Sequence, residues 1–197
     1  MKNLLVFGDS IAWGANDSEY GGWVTLLRNY FEDKEGVPIE HVYNLSVSGN
    51  DTKDVLARFD GEAKVRKPGI VMLAVGVNDS KRIDTKDNPE TSEEQFEKNY
   101  NALISKAKQC AKRVICLGLT PVNEEKTTPI PWNTRKSYYS EFVKEYDQII
   151  QDVVQKERVE YIPLYDLMDA KDFEDGLHPD SEGHRIIFEA VKEYLEK

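Results

Sequence analysis

Four short stretches of this sequence gather polar, nucleophilic or titratable residues just past apolar runs. They are Gly8-Asp9-Ser10-Ile11-Ala12-Trp13-Gly14, Asn44-Leu45-Ser46-Val47-Ser48-Gly49-Asn50, Gly76-Val77-Asn78-Asp79 and Asp175-Gly176-Leu177-His178-Pro179. Together they hold the residue types needed for nucleophilic acyl chemistry. A serine hydroxyl is a poor nucleophile until a base takes its proton as the new bond forms. An imidazole suits that task, since it titrates at about pH 6.5 when unperturbed. It also needs a third group to fix its tautomer and to stabilise the imidazolium. Ser10, His178 and Asp175 are the candidates for these roles, and with only two residues between Asp175 and His178 a single turn could orient both. Gly176 permits the tight backbone this requires. A histidine base also predicts a rate that falls on the acid side, where the imidazolium can no longer accept the serine proton.

Each of these residues has a plain structural use as well. Gly8-Asp9-Ser10 could be a strand-to-helix turn with a capping side chain. Gly49 could be an ordinary turn glycine, Asn78-Asp79 an Asx-turn or helix start, His178 a structural loop histidine, and Asp180 the cap of the last helix. The joint occurrence of all four stretches is what favours chemistry. Asp9 and Asp79 flank the key residues and are expected to shape loops or cap helices. His184, at the start of the last helix, is expected to face solvent, and His41 to be structural. Trp13, Trp132 and Tyr138 lie in or near the strand-end loops and are candidates to line a substrate pocket. Tyr139 sits at helical spacing and reads as core.

Positioning these residues falls to a regular alternation of elements. Short β-branched runs predict buried strands at Asn3–Gly8, Ile39–Leu45, Ile70–Val75, Val114–Leu119 and Val159–Pro163. Helical stripes lie between them: Trp23, Leu26, Leu27, Tyr30 and Phe31; then Phe96, Tyr100, Leu103 and Ala107, opened by the capping-box pattern Ser92-x-x-Gln95. Tyr139 to Val153 form a third, Ile186 to Tyr194 close the chain, and a shorter helix from Thr52 carries Val55, Leu56 and Phe59. This rhythm predicts an α/β fold: a three-layer α/β/α sandwich around a doubly wound parallel sheet of about five strands. No linker or repeat divides it, so residues 1–197 are expected to form a single domain. Ser80–Thr91 and Thr120–Thr134 are the longest irregular stretches, and both follow strands, where open α/β sheets place their sites.

The four stretches, in order and after successive strands, resemble the SGNH hydrolases, also called GDSL esterases or lipases. FGDSIAWG matches the first block with Ser10 at the nucleophile position, Gly49 the second, GVND with Asn78 the third, and DGLHP with Asp175 and His178 the last. The resemblance covers nearly the whole chain and implies a flavodoxin-like fold and a serine-dependent acyl-ester hydrolase. It also implies an oxyanion hole built from the Ser10 N–H, the Gly49 N–H and the Asn78 side-chain amide. Family members include carboxylesterases, thioesterases, lysophospholipases and sugar deacetylases. A compact chain with little room for a lid points to short-chain or acetyl esters. The reading from another class is a catalytically inactive module binding a glycan or lipid, which the completeness of the site residues disfavours.

Other chemistries lack their patterns. The nucleophile elbow G-x-S-x-G fails at Ala12, and neither a Walker phosphate loop nor G-x-G-x-x-G occurs. No cofactor is implied. Two cysteines, Cys110 and Cys116, and three scattered histidines do not suggest a metal site; both cysteines are expected to be buried, reduced thiols. With 26 basic against 36 acidic residues the formal net charge is −10, which disfavours nucleic acid as a partner. The charge-free runs are shorter than the roughly 20 residues a membrane span needs. No signal-peptide pattern opens the sequence, so a cytoplasmic location is expected.

Overall fold

The computed structural model describes every residue except 1, 33, 35, 37 and 38, and every other side chain but those of Lys2 and Asp172. In chain order the elements are β1 (Lys2–Gly8), α1 (Ser10–Trp13), α2 (Trp23–Glu32), β2 (Ile39–Asn44), α3 (Thr52–Arg66), β3 (Pro68–Ala74) and β4 (Arg82–Ile83). They continue with α4 (Glu93–Cys110), β5 (Arg113–Leu117), α5 (Glu124–Thr127), β6 (Lys136–Ser137), α6 (Ser140–Glu157), β7 (Glu160–Ile162) and α7 (Ser181–Glu196).

Five strands form a parallel sheet in the order β2-β1-β3-β5-β7. The order follows from burial. Leu4, Leu5, Val6 and Phe7 in β1, and Ile70 to Leu73 in β3, are shut off from water on both faces, as central strands of a covered parallel sheet require. The edge strand β2 buries only Ile39 and Val42. Helices α2 and α7 pack together on one face; α3, α4 and α6 pack side by side on the other. Phe7 reaches across to stack on Phe59 of α3, with ring centroids 4.6 Å apart. The chain leaves β1 toward β2 on one side and returns to β3 on the other. The carboxyl ends of β1 and β3 therefore bound the crevice where such sheets bind ligands.

Several elements differ from what the sequence pattern predicts. Helix α3 is longer than its pattern suggests, because beyond Thr52 its buried stripe is only Val55, Phe59 and Ala63, and most of its other residues are charged. A reciprocal capping box starts it: Asp51 accepts from the Asp54 N–H and Asp54 from the Asp51 N–H. In α4 only half of the expected box forms. Ser92 accepts from the Gln95 N–H, while the Gln95 amide turns to Asn99.

The stretches read as irregular contain α5 and a two-stranded antiparallel ribbon pairing Arg82 with Ser137 and Ile83 with Lys136. His184 does not face solvent. It belongs to the buried stripe Gly183, His184, Ile187, Val191 and Leu195, where its Nε2–H donates to the Ala15 carbonyl at 2.9 Å and its Nδ1 accepts from the Trp23 N–H. Burial lowers its pKa. Cys116 is buried in β5, but Cys110 is exposed, since the apolar stripe of α4 runs out at its last turn; both thiols are free. No helix among the described residues is long and apolar enough to cross a membrane.

Candidate active site

Strand β1 runs straight into the site. Asp9 caps α1, accepting from the Ile11 N–H at 2.9 Å, so Ser10 becomes the first residue of a one-turn helix at the sheet edge. Gly8 allows this packing: a Cβ there would lie 2.5 Å from the Ala12 Cβ and 2.7 Å from the Ala74 carbonyl oxygen. Gly14 ends the helix in the left-handed region, pressed against Gly21 and Gly22.

Ser10, His178 and Asp175 come together. The Ser10 Oγ lies 2.8 Å from His178 Nε2, and His178 Nδ1 lies 2.6 Å from Asp175 Oδ2. Asp175 is richly supplied with donors. Its Oδ1 accepts from the Leu177 and His178 N–H groups, and its Oδ2 from the Asn16 amide at 3.0 Å as well as the imidazole. Partial burial works to raise the Asp175 pKa, but the His178 ring and these backbone donors hold it well below the usual carboxylate range. An ionised carboxylate can only accept, so Nδ1 carries the proton and Nε2 is free to accept from the serine O–H. Such an arrangement can raise the nucleophilicity of a serine hydroxyl.

The remaining strand-end residues close around Ser10. Pairing continues past β2, with the Leu45 N–H on the Val6 carbonyl and the Val47 N–H on the Gly8 carbonyl. Gly49 then turns with φ +84°, and the next carbonyl, that of Asn50, accepts from Asn78 Nδ2 at 3.0 Å. Among the described residues, neither the Ser10 nor the Gly49 N–H donates to a protein acceptor. Arg58 of α3 ties this corner together, reaching the Leu45 carbonyl, the Asn50 side chain and, at 3.5 Å, the Gly8 carbonyl. Asp79 accepts from both the backbone N–H and the hydroxyl of Thr52, fixing the end of β3 to the start of α3. Burial pushes the Asp79 carboxyl up to about 7 and that of Asp9 up to about 6.

The aromatic candidates divide. Trp132 is exposed and stacks on the His178 ring, centroids 5.9 Å apart at 27°. Trp13 is also exposed and borders an open groove of about 490 Å³ with Asn16, Asp17 and Glu174. Tyr138 is buried instead, and its hydroxyl donates to the Asn78 Oδ1 at 2.8 Å. Tyr139 packs edge-on against Phe142 at the start of α6. His41 lies in β2, half-exposed and 3.9 Å from Glu32. Sequence reasoning missed Asn16, Arg58 and the contact of Tyr138 with Asn78, which join residues 159, 50 and 60 positions apart. Only the left-handed backbone of Asn16, a conformation asparagine tolerates better than most residues, leaves a faint trace in residue type. Among the described residues no group of three or more His, Cys, Asp or Glu is arranged to hold a metal ion.

Known proteins resemble this chain in sequence and in fold. The family model for GDSL-like lipases/acylhydrolases matches residues 4–191. The chain is 26% identical to the esterase TesA of Pseudomonas aeruginosa, over 90% of this chain and 80% of that protein. It is 25% identical to an acetylxylan esterase of Geobacillus stearothermophilus, over 96% and 91% respectively. It is 26% identical to an arylesterase of Vibrio mimicus, over 100% and 89%. The crystal structure of TesA superposes with a TM-score of 0.74, covering 99% of this chain and 98% of that one at 24% identity. That of the acetylxylan esterase Axe2 gives 0.72, covering 100% and 94% at 19% identity.

Proposed function

The chain belongs to the GDSL-like lipase/acylhydrolase family and is a carboxylic ester hydrolase, and from that premise we propose that Ser10, His178 and Asp175 form its catalytic triad, acting on short-chain esters. The observation that carries the reading is the unbroken line from Ser10 Oγ to His178 Nε2 at 2.8 Å and from His178 Nδ1 to Asp175 at 2.6 Å.

His178 takes the Ser10 proton as Oγ attacks the acyl carbonyl, while Asp175 keeps Nδ1 protonated and stabilises the imidazolium. The oxyanion of the tetrahedral intermediate accepts from the Ser10 N–H, the Gly49 N–H and the free N–H of the Asn78 amide. Collapse breaks the bond to the alcohol, which leaves with the proton from His178 and yields an acyl-enzyme. Water then attacks the acyl carbon with His178 again as base, and the acid departs.

The substrate reading has independent support. Trp132, exposed, offers a flat apolar surface beside the base, and Trp13 is exposed three residues after the nucleophile. Two relatives are named for acetylxylan and aryl esters.

The first test is Ser10→Ala. It should abolish turnover of an activated acetyl ester and labelling by a fluorophosphonate; unchanged turnover overturns the assignment. A rate profile across acyl lengths from acetyl to palmitoyl, with acetylated xylo-oligosaccharides included, should peak at short chains. A maximum at palmitoyl refutes the substrate reading and leaves the triad intact.

A further inference from the structure

Asn78 is held from both sides in a way that fixes which atom faces substrate. A backbone carbonyl can only accept, so the contact with the Asn50 carbonyl requires the Nδ2 end of the Asn78 amide there. The Oδ1 end then faces the Tyr138 hydroxyl at 2.8 Å, which must donate. Both groups are buried, so this bond is made away from competing water. Burial, with the charges of Asp9, Glu90 and Asp79, raises the Tyr138 pKa and keeps the phenol a donor throughout the working range.

Tyr138 is itself placed with care. It directly follows β6, whose pairing with β4 sets it beside the segment that carries Asn78, four residues before Arg82. Thr127 then clamps its backbone: the Tyr138 N–H donates to the Thr127 carbonyl and the Thr127 hydroxyl to the Tyr138 carbonyl.

We propose that Tyr138 is the positioning residue of the oxyanion hole, and that the β4–β6 ribbon registers it on Asn78. Its hydroxyl locks the Asn78 amide so that one Nδ2–H serves the Asn50 carbonyl and the other points to the developing oxyanion. Donation to Oδ1 also polarises the amide and strengthens Nδ2 as a donor, since linked hydrogen bonds reinforce one another. The inference rests on the reading of Asn78 as an oxyanion donor.

A double-mutant cycle tests both levels. Asn78→Ala should lower kcat about 10²–10³-fold, the usual cost of one oxyanion donor. Tyr138→Phe keeps the ring and should lower kcat roughly tenfold, the order expected for one buried hydrogen bond, with KM within about twofold. Inhibition by butylboronic acid, which forms a tetrahedral serine adduct, should weaken by the same factor as kcat. On the Asn78→Ala background Tyr138→Phe should change kcat by less than about twofold.

An undiminished kcat in Tyr138→Phe, or a tenfold loss that persists without Asn78, overturns the positioning role and leaves the oxyanion hole standing. Full activity in Asn78→Ala overturns the oxyanion reading instead. Should Tyr138→Phe not fold, 15N relaxation of the Asn78 side-chain amide in the unaltered protein decides. The lock requires it to be as rigid as the backbone, and nanosecond mobility overturns it.

Discussion

Asp9 and Asp175 approach the same imidazole under opposite conditions. Asp9 is enclosed, and burial outweighs the Ile11 N–H to push its carboxyl up to about 6. Asp175 faces four donors and stays ionised far below that. The folded value of Asp9 lies above the ordinary 3.8. Its contribution to stability is therefore complete below that value and is lost as pH rises through about 6. Asp175 has the opposite sign: its contribution is present above the ordinary carboxylate value and is lost only as pH falls through its depressed one. The two windows do not overlap. Asp9→Asn keeps an acceptor for the Ile11 N–H and removes the buried charge. Its stability relative to the unaltered protein should rise between about pH 4 and pH 6, levelling at an advantage on the order of 3 kcal/mol. Urea unfolding across that range checks this, and a pH-independent difference contradicts it. At this scale the sequence was legible where chemistry constrains residue type at short spacing, as in Asp175-Gly176-Leu177-His178. It was silent on Asn16 and Arg58, whose roles come only from contacts that folding creates.

Between residue and fold, the excursion from β5 to α6 does most of the positioning. Its Asn123 N–H donates to the Gly176 carbonyl, Lys126 Nζ donates to the Phe173 carbonyl, Trp132 covers the His178 ring and Tyr138 holds Asn78. One segment thus braces both the loop that carries the base and the side chain proposed to hold the oxyanion. Gly176 is where that bracing is tightest: its φ is +80° and a Cβ would lie 2.6 Å from the Lys126 Cβ. Gly176→Ala combines a left-handed penalty of about 1 kcal/mol with that clash. It should cut kcat by more than tenfold, because His178 is displaced from Ser10. The loss in melting temperature should be only a few degrees, as the strain falls on the buried loop ahead of α7 and leaves the sheet and its helices untouched. Parallel measurement of fluorophosphonate labelling and thermal unfolding tests this; full labelling speed in a folded variant would show that the loop tolerates the shift. The five main strands and the larger helices were readable because each repeats an apolar pattern over several residues. The β4–β6 ribbon was not, since two residues per strand carry no period, and its pairing joins segments more than fifty positions apart.

For the molecule as a whole, strand order and charge act together. The order β2-β1-β3-β5-β7 follows from buried runs too apolar to lie anywhere but inside, and it puts Ser10 and Asn78 at the ends of the two strands that flank the switch point. Such a crevice is open to the field of the surrounding surface, and the formal net charge of −10 makes that field negative. Asp17 and Glu174 share the Trp13 groove, Asp175 is bound by Asn16 beside it, and Asp51 and Glu90 act on the Asp79 and Tyr138 side, with Arg58, Lys81 and Lys126 only partly offsetting them. An ester whose alcohol carries a sulfonate should therefore be disfavoured several-fold in kcat/KM against a neutral ester with the same acyl group. The penalty should appear in KM, since repulsion acts on encounter and binding before any bond changes. Raising ionic strength from about 0.01 M to about 0.5 M shortens the screening length from roughly 30 Å to under 10 Å. That should bring the anionic ester close to the neutral one, whose own kinetics stay level. If the anionic ester is instead the better substrate and salt weakens it, Arg58 and the lysines beside the site govern the local field and the net charge does not.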